Sequence, residues 1–228
     1  MISDILPPWV ASAERFGDVP EETLFPEERP LIARAVERRR REFVTGRHCA
    51  RLALARIGVT PGPIPRGERG APVWPAGTVG SITHCPGYRA AAVASAEVAR
   101  AVGIDAETHE PLPEAVLSMI ASPEEIAALE ALGRADGADA EGTDAVGAGG
   151  AICWDRILFS AKESIYKVWF PLTGRWLDFS EAVVDIDPSG TFRARLLVAD
   201  PAMGTHTLSG RWLVRDGHIA TSVALPRP

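Results

Sequence analysis

Val102-Gly103-Ile104-Asp105-Ala106-Glu107 sets two carboxylates two residues apart, and further along Phe159-Ser160-Ala161-Lys162-Glu163-Ser164-Ile165-Tyr166-Lys167 sets a third between two lysines. On a strand, side chains alternate with period two, so Asp105 and Glu107 share a face. Oxygen donors of this kind suit a hard divalent cation. Magnesium takes few carboxylates, keeps several waters and completes its octahedron with phosphate oxygens of a substrate. Lys162 and Lys167 then become candidates for holding phosphate or protonating a leaving group.

The second segment must be a helix to do this. Leu158, Ala161, Ile165, Val168, Trp169 and Leu172 follow a helical apolar pattern, which predicts a start near Trp154-Asp155 with Asp155 as N-cap. Ser160-Ala161-Lys162-Glu163 also has the form of a capping box, in which Glu163 would only close a helix end. The apolar pattern runs through Ser160, so Ser160 reads as interior and Glu163 as free for chemistry.

Upstream, residues 1–30 are proline-rich and read as irregular, and one helix is predicted from Leu31 to Ile57, stopped by Gly58. Ile32, Val36, Phe43, Ala50, Leu54 and Ile57 form its apolar stripe. Arg39 and Arg47 fall at the edges of that stripe, where they either snorkel to solvent or meet an anion with guanidinium forks suited to phosphate. Arg66-Gly67-Glu68-Arg69-Gly70 reads as a turn-rich surface loop. Val79 to His84 and Ala90 to Ala94 read as two strands joined at Pro86-Gly87. His84 at a strand end is either hydrogen-bonded to backbone or a ligand. Gly133 to Ala151 is dominated by Gly, Ala and Asp and reads as a mobile loop. Two hairpins follow, Ala182–Ile186 with Phe192–Val198 and Leu208–Val214 with Ile219–Ala224, predicting an antiparallel lobe.

These segments resemble the hallmark motifs of the 4'-phosphopantetheinyl transferases. The family pattern is a Gly-Ile/Val-Asp-x-Glu strand followed by a Trp/Phe-x-x-Lys-Glu-Ser/Ala-x-x-Lys helix, here opened by Phe159. Gly46-Arg47-His48-Cys49-Ala50-Arg51 and Ser81-Ile82-Thr83-His84 resemble two further family segments. The likeness is to the two-lobed, monomeric type, in its actinobacterial branch. It implies an α+β fold of two similar lobes, residues 1–102 and 103–228, forming a pseudo-twofold monomer with the active site in the cleft between them. The implied reaction moves the 4'-phosphopantetheine of coenzyme A to a serine of apo acyl or peptidyl carrier proteins, leaving 3',5'-ADP.

The resemblance also implies roles. The metal, Mg2+ or alternatively Mn2+, would be held by Asp105, Ala106, Glu107 and Glu163. Asp105, Glu163 and Lys167 would be catalytic, with Glu163 as base and Lys167 at the leaving group. Arg39 and Arg47 would meet the 3'-phosphate, and Arg66, Gly67, Glu68 and Arg69 the nucleotide, with arginine at 66 where relatives often carry lysine. Thr83, His84 and Lys162, with the metal-bound carboxylates, would hold the pyrophosphate. Trp176 either packs near the coenzyme or joins Arg175, Trp169 and Phe179 in a patch for the carrier's acidic helix, unless these aromatics are core. Polyketide, nonribosomal peptide and siderophore carriers are the implied partners.

Bulk properties bound these readings. At 228 residues and 46% hydrophobic the chain can bury a core, and its formal charge of −6 argues against general nucleic-acid binding. Asp4 and early prolines replace the basic and apolar runs of a signal peptide, and no stretch approaches a membrane span, so a cytoplasmic protein is expected. Cys49, Cys85 and Cys153 suit reduced thiols, and His48-Cys49 and His84-Cys85 lack zinc-ligand spacing. A different magnesium-dependent phosphotransferase would use the same carboxylates, but there is no Gly-x-x-x-x-Gly-Lys-Ser/Thr loop. The remaining alternative is a coenzyme A or carrier-protein binding module without turnover.

Overall fold

Pro86-Gly87 reverses the chain between Cys85 and Tyr88, with Gly87 at φ +81°, a conformation costly for any residue with a Cβ. In the computed structural model, which describes residues 1–140 and 151–227, this hairpin is the centre of the first sheet. β2 (Thr78–Cys85) and β3 (Tyr88–Ser95) pair antiparallel, and β1 (Ala11–Phe16) adds on the other side of β3, giving the order β1-β3-β2. β3 is nearly all buried, because Ala91 and Val93 face α1 (Glu37–Arg56) while Ala90, Ala92 and Ala94 face the second half of the molecule. Its alanines let layers approach closely on both faces.

The second sheet has the order β4-β8-β7-β6-β5, antiparallel throughout: β4 (Ala99–Thr108), β5 (Ala182–Asp187), β6 (Thr191–Leu196), β7 (Thr207–Arg215) and β8 (His218–Pro226). Both C-terminal hairpins stand where turn residues place them, and β5 and β6 alternate buried with exposed residues as a half-solvated sheet requires. α2 (Glu114–Ile120) and α3 (Pro123–Ala140) follow β4, and α4 (Trp154–Thr173) crosses the inner face of the sheet. Ile157, Leu158, Ala161, Ile165, Val168 and Trp169 of α4 pack on Phe192, Leu208, Ile219 and Val223. The fold is α+β, with helices and two antiparallel sheets.

The two sheets meet along β2 and β4 without joining their backbones in one ladder. Ser81 Oγ accepts from Ile104 N at 3.1 Å and Thr83 Oγ1 accepts from Ala106 N at 2.9 Å. Side-chain hydroxyls two residues apart thus satisfy backbone donors two residues apart. Val102, Ile104 and Ala106 of β4 share a core with Ala90, Ala92 and Ala94. The opposite face of β4 carries Gly103, Asp105 and Glu107.

Four expectations change. The helix predicted from Leu31 begins only at Glu37; Arg29–Ile32 is a short 3-10 turn, and Val36, with an extended backbone, is the N-cap and 72% exposed rather than part of the stripe. Gly58 ends the segment at φ +77° as expected. Residues 1–30 are not all irregular, since β1 pairs with β3 from Ala11↔Val93 to Phe16↔Tyr88. The first part of the predicted loop, Gly133–Ala140, completes α3, and residues 141–150 lie outside the described residues. Asp155 lies inside α4 rather than capping it; Cys153 is the N-cap, and Asp155 Oδ2 accepts from Leu112 N at 2.7 Å. The three cysteines are free, and no helix among the described residues is long and apolar enough to cross a membrane.

Candidate active site

Gly103 sets the distance between β4 and α4. A Cβ there would stand 2.1 Å from the Ser164 carbonyl oxygen and 3.0 Å from Val168 Cγ2, so only glycine lets the helix seat. Once it is seated, Arg156, Ser160, Glu163 and Lys167, spaced i, i+4, i+7 and i+11, lie along one helical face. Asp105, 5% exposed, is gripped at both oxygens: Oδ1 accepts from Lys167 Nζ at 2.8 Å and Thr83 Oγ1 at 3.2 Å, and Oδ2 from Ser160 Oγ at 2.8 Å. Lys167 also donates to the Ile104 carbonyl at 3.0 Å. Arg156 ties Glu107 at 3.1 Å and bonds the carbonyls of Glu110 and Pro111.

The other two carboxyls bind their protons tightly. Burial, and then the charge of Asp105, push Glu107 up to about 7 against the opposing pull of Arg156 and Lys167. Burial and Asp105 likewise raise Glu163, with Lys167 opposing. Among the described residues no three His, Cys, Asp or Glu side chains already surround a common point. Asp105 is paired with Lys167 and Glu107 with Arg156. The chemistry of the set nevertheless fits a hard cation, because buried and half-buried oxygen donors that repel one another are what such a charge would neutralise. Ala106 contributes no side-chain donor; its methyl is buried in the core between the sheets and its N–H goes to Thr83.

His84 stands at the end of β2, one residue beyond Thr83. Arg39 Nη1 bonds both His84 Nε2 and, at 3.3 Å, Glu42 Oε2. A guanidinium only donates, so Nε2 accepts and the imidazole proton lies on Nδ1, 3.5 Å from Glu42 Oε2. Burial, reinforced by Arg39 and Lys167, pushes His84 down to about 4 although Glu42 pulls upward. Arg47 is buried, its Nε on the Ile64 carbonyl at 2.9 Å and its guanidinium 4.5 Å above the Phe43 ring. Burial lowers it to about 10, which leaves it a cation at neutral pH.

Between the Gly67–Trp74 loop, β2 and α4 lies a cavity of about 540 Å³, lined by Val73, Trp74, Ile82 and Phe170 and by Glu163, Tyr166 and Lys167. Arg69 holds a left-handed backbone at φ +51° and sets its guanidinium 5.5 Å over the Trp176 ring, which also packs on Tyr166. Arg66 folds back over Gly70, where a Cβ would stand 2.9 Å from its Nη2. Gly67 and Glu68 line the cavity with Arg69.

Three predicted roles do not match this placement. Lys162 is 3% exposed and points away from Asp105, donating to Glu125 Oε2 at 2.9 Å and to the carbonyls of Ile120 and Phe179. All three ammonium protons are used inside the protein, which leaves none for a phosphate in this arrangement. Thr83 is 2% exposed and engaged with Asp105 and Ala106, not open to a phosphate. Trp169 is fully buried core, so of the carrier patch only Arg175 and Trp176 are exposed. Arg156, Ser160, Glu42 and Thr221 escaped the sequence reading. Ser160 and Arg156 were within reach of it, since both sit on the Glu163–Lys167 face by helical spacing, and Glu42 lies one turn after Arg39.

Comparison with known proteins bears on all of this. The model of the 4'-phosphopantetheinyl transferase N-terminal domain matches residues 27–94, and that of the 4'-phosphopantetheinyl transferase superfamily matches residues 101–222. The chain is 48% identical over 235 residues to the 4'-phosphopantetheinyl transferase Svp of Streptomyces mobaraensis, covering 100% of this chain and 90% of that protein. It is 44% identical over 237 residues to PptT of Mycobacterium tuberculosis, covering 99% and 98% respectively. With Npt of Nocardia iowensis it shares 48% identity over 236 residues, covering 98% and 99%.

Proposed function

The chain belongs to the 4'-phosphopantetheinyl transferase superfamily, and from that premise we propose that it moves the 4'-phosphopantetheine of coenzyme A onto a serine of apo acyl or peptidyl carrier proteins, releasing 3',5'-ADP. The observation that carries this reading is the constellation of Asp105, Glu163 and Lys167 on facing sides of β4 and α4, with Glu163 and Lys167 lining the cavity.

In this reading Arg39 and Arg47 meet the 3'-phosphate and His84 the pyrophosphate. A phosphate near Arg39 brings the negative charge that lets His84 take a second proton and donate from Nε2. The loop from Arg66 to Arg69 flanks the nucleotide, with Trp176 beside Arg69, and the apolar cavity wall receives the less polar arm of the coenzyme. Glu163, a carboxylate on the cavity wall, takes the proton of the attacking serine. The serine oxygen bonds to the β-phosphorus as the bond to the departing 3',5'-ADP oxygen breaks. Lys167, within reach of Asp105, stabilises the leaving charge.

A divalent cation, Mg2+ or Mn2+, would be held by Asp105, Glu107, Glu163 and the Ala106 carbonyl, and when bound would neutralise pyrophosphate charge. The same reading divides the chain near residue 102 into a nucleotide-contacting lobe and a lobe bearing the carboxylates, related by a pseudo-twofold with the cleft between them. The gap between the two matched family models supports that division. It also makes the protein a cytoplasmic monomer whose partners are polyketide, nonribosomal peptide or siderophore carriers.

Transfer is tested by incubating the protein with a fluorescent coenzyme A, a divalent metal and an apo carrier, and reading fluorescence on the carrier band. Label on the wild-type carrier and none on its Ser→Ala form is expected. Stoichiometric coenzyme binding without labelling of several carriers would instead favour a binding module.

A further inference from the structure

Asp105 is held at both oxygens, by Thr83 from the first sheet and by Ser160 and Lys167 from α4, which packs on the second. Thr83 belongs to β2, while Ser160 belongs to α4 and is backed by Thr221 of β8. Counting protons fixes what each hydroxyl does. Thr83 Oγ1 accepts from Ala106 N at 2.9 Å, so its single proton goes to Asp105 Oδ1 at 3.2 Å. What remains on that oxygen is an acceptor lone pair. Phosphate oxygens of a coenzyme are themselves acceptors, so Thr83 cannot serve them while it serves Asp105. Ser160 Oγ gives its proton to Asp105 Oδ2 at 2.8 Å, and Thr221 Oγ1 lies 3.0 Å from Ser160 Oγ and donates to the Ser160 carbonyl at 2.9 Å. Thr83, Ser160 and Thr221 are all buried, where replacing these bonds with water is not available.

We infer that Thr83 and Ser160 are positioning residues that clamp the two oxygens of Asp105 from opposite sides, and that neither touches the coenzyme. The clamp also explains the seam between the sheets. One hydroxyl both satisfies the Ala106 N–H at the β2–β4 junction and aims Asp105, so the packing of the first sheet against β4 sets the carboxylate next to Lys167. A shift of β2 relative to β4 would take the Thr83 bond from Asp105 Oδ1, leaving Lys167 there alone, and would unpair the Ala106 donor at the same time. The inference rests on the transfer reading for its kinetic consequence and on the carboxylate set for its binding consequence, and the two are separable.

The test compares Thr83→Val, which keeps shape and loses the hydroxyl, with Thr83→Ser and Ser160→Ala. Three quantities are read: coenzyme A affinity by calorimetry in EDTA, Mn2+ affinity by electron paramagnetic resonance without carrier, and kcat of carrier modification. Loss of either hydroxyl should lower kcat and Mn2+ affinity by about tenfold or more, with coenzyme A affinity in EDTA unchanged and Thr83→Ser restoring both. Coenzyme A affinity falling with Mn2+ affinity and kcat retained would make Thr83 a ligand and overturn the inference. Wild-type kcat and Mn2+ binding in Ser160→Ala would overturn it as well. If Thr83→Val does not fold, Ser160→Ala carries the same contrast. A wild-type protein that transfers nothing, but whose Mn2+ affinity falls in both variants, would refute the transfer reading and uphold the clamp.

Discussion

Glu163 and Lys167 stand one helical turn apart on α4, and Lys162, immediately before Glu163, faces elsewhere. A step of one residue rotates a helical side chain by about 100°, which is why adjacent residues of one motif end in a buried ion pair and in the cavity wall. Replacing Glu163 should be felt in turnover rather than in folding. Glu163→Gln is expected to lower kcat by roughly a hundredfold or more while thermal melting is unchanged or slightly raised, since the amide carries no charge to repel Asp105. A fully active Glu163→Gln enzyme would remove Glu163 from the chemistry. Glu107 gives a pH signature in stability. Its carboxyl, pushed from 4.5 to about 7 by burial and Asp105, binds its proton more tightly folded than unfolded. Its stabilising contribution is then full below 4.5 and lost as pH rises through about 7. In metal-free protein, the melting temperature of the wild type relative to Glu107→Gln should fall across that window. A constant offset between the two would contradict the assignment.

Among the elements, β4 and α4 were legible because each carries its chemistry on a regular period within one short segment. Asp105 and Glu107 share a strand face, and the α4 apolar stripe runs unbroken from Ile157 to Trp169 on the core side. Other elements were misread for physical reasons. The helix predicted to start at Leu31 begins at Glu37 because Val36 takes an extended backbone, and a single exposed valine is indistinguishable by pattern from a stripe member. β1 was missed because Ala-Ser-Ala-Glu-Arg-Phe has little β-branched character; its partner β3 lies more than seventy residues away in sequence, as the Ala11↔Val93 pairing shows. The hold of Thr83 on Asp105 was silent for the same reason, since it exists only once β2 and β4 meet. The close seat of α4 on Gly103 makes its own prediction. Gly103→Ala puts a methyl against backbone, the Ser164 carbonyl, that no rotamer change can move. It should destabilise by about 1–3 kcal/mol or more in denaturant unfolding and reduce transfer in the fraction still folded. A Gly103→Ala protein with wild-type stability would mean that α4 does not seat on β4 as described.

At the scale of the whole molecule, an acidic chain concentrates its arginines on α1 and then spends most of them internally. Arg51 meets Glu28 in a buried pair at 2.9 Å, Arg40 meets Glu21 and Arg41 meets Glu37. Arg39 bonds Glu42 and His84, and Arg47 is buried on the Ile64 and Pro65 carbonyls, so the arginine-rich stretch is taken up within the chain rather than forming a polyanion-binding face. That outcome was half legible: the residue types suggested an anion, and only the fold could tell which guanidiniums already have partners within the chain. Side-chain hydroxyls of β2 hold the first sheet against β4, and the central proposal is that Asp105 of β4 with Glu163 and Lys167 of α4 carries the transfer. Intact mass spectrometry of an apo carrier protein, with 3',5'-ADP quantified in the same reaction, tests it most directly. The wild-type protein with coenzyme A and Mg2+ should add one phosphopantetheine to the carrier serine for each 3',5'-ADP released, and Asp105→Ala, though folded, should add none. Equal modification by Asp105→Ala, or no modification of any carrier by a wild-type protein that binds coenzyme A, would contradict the account.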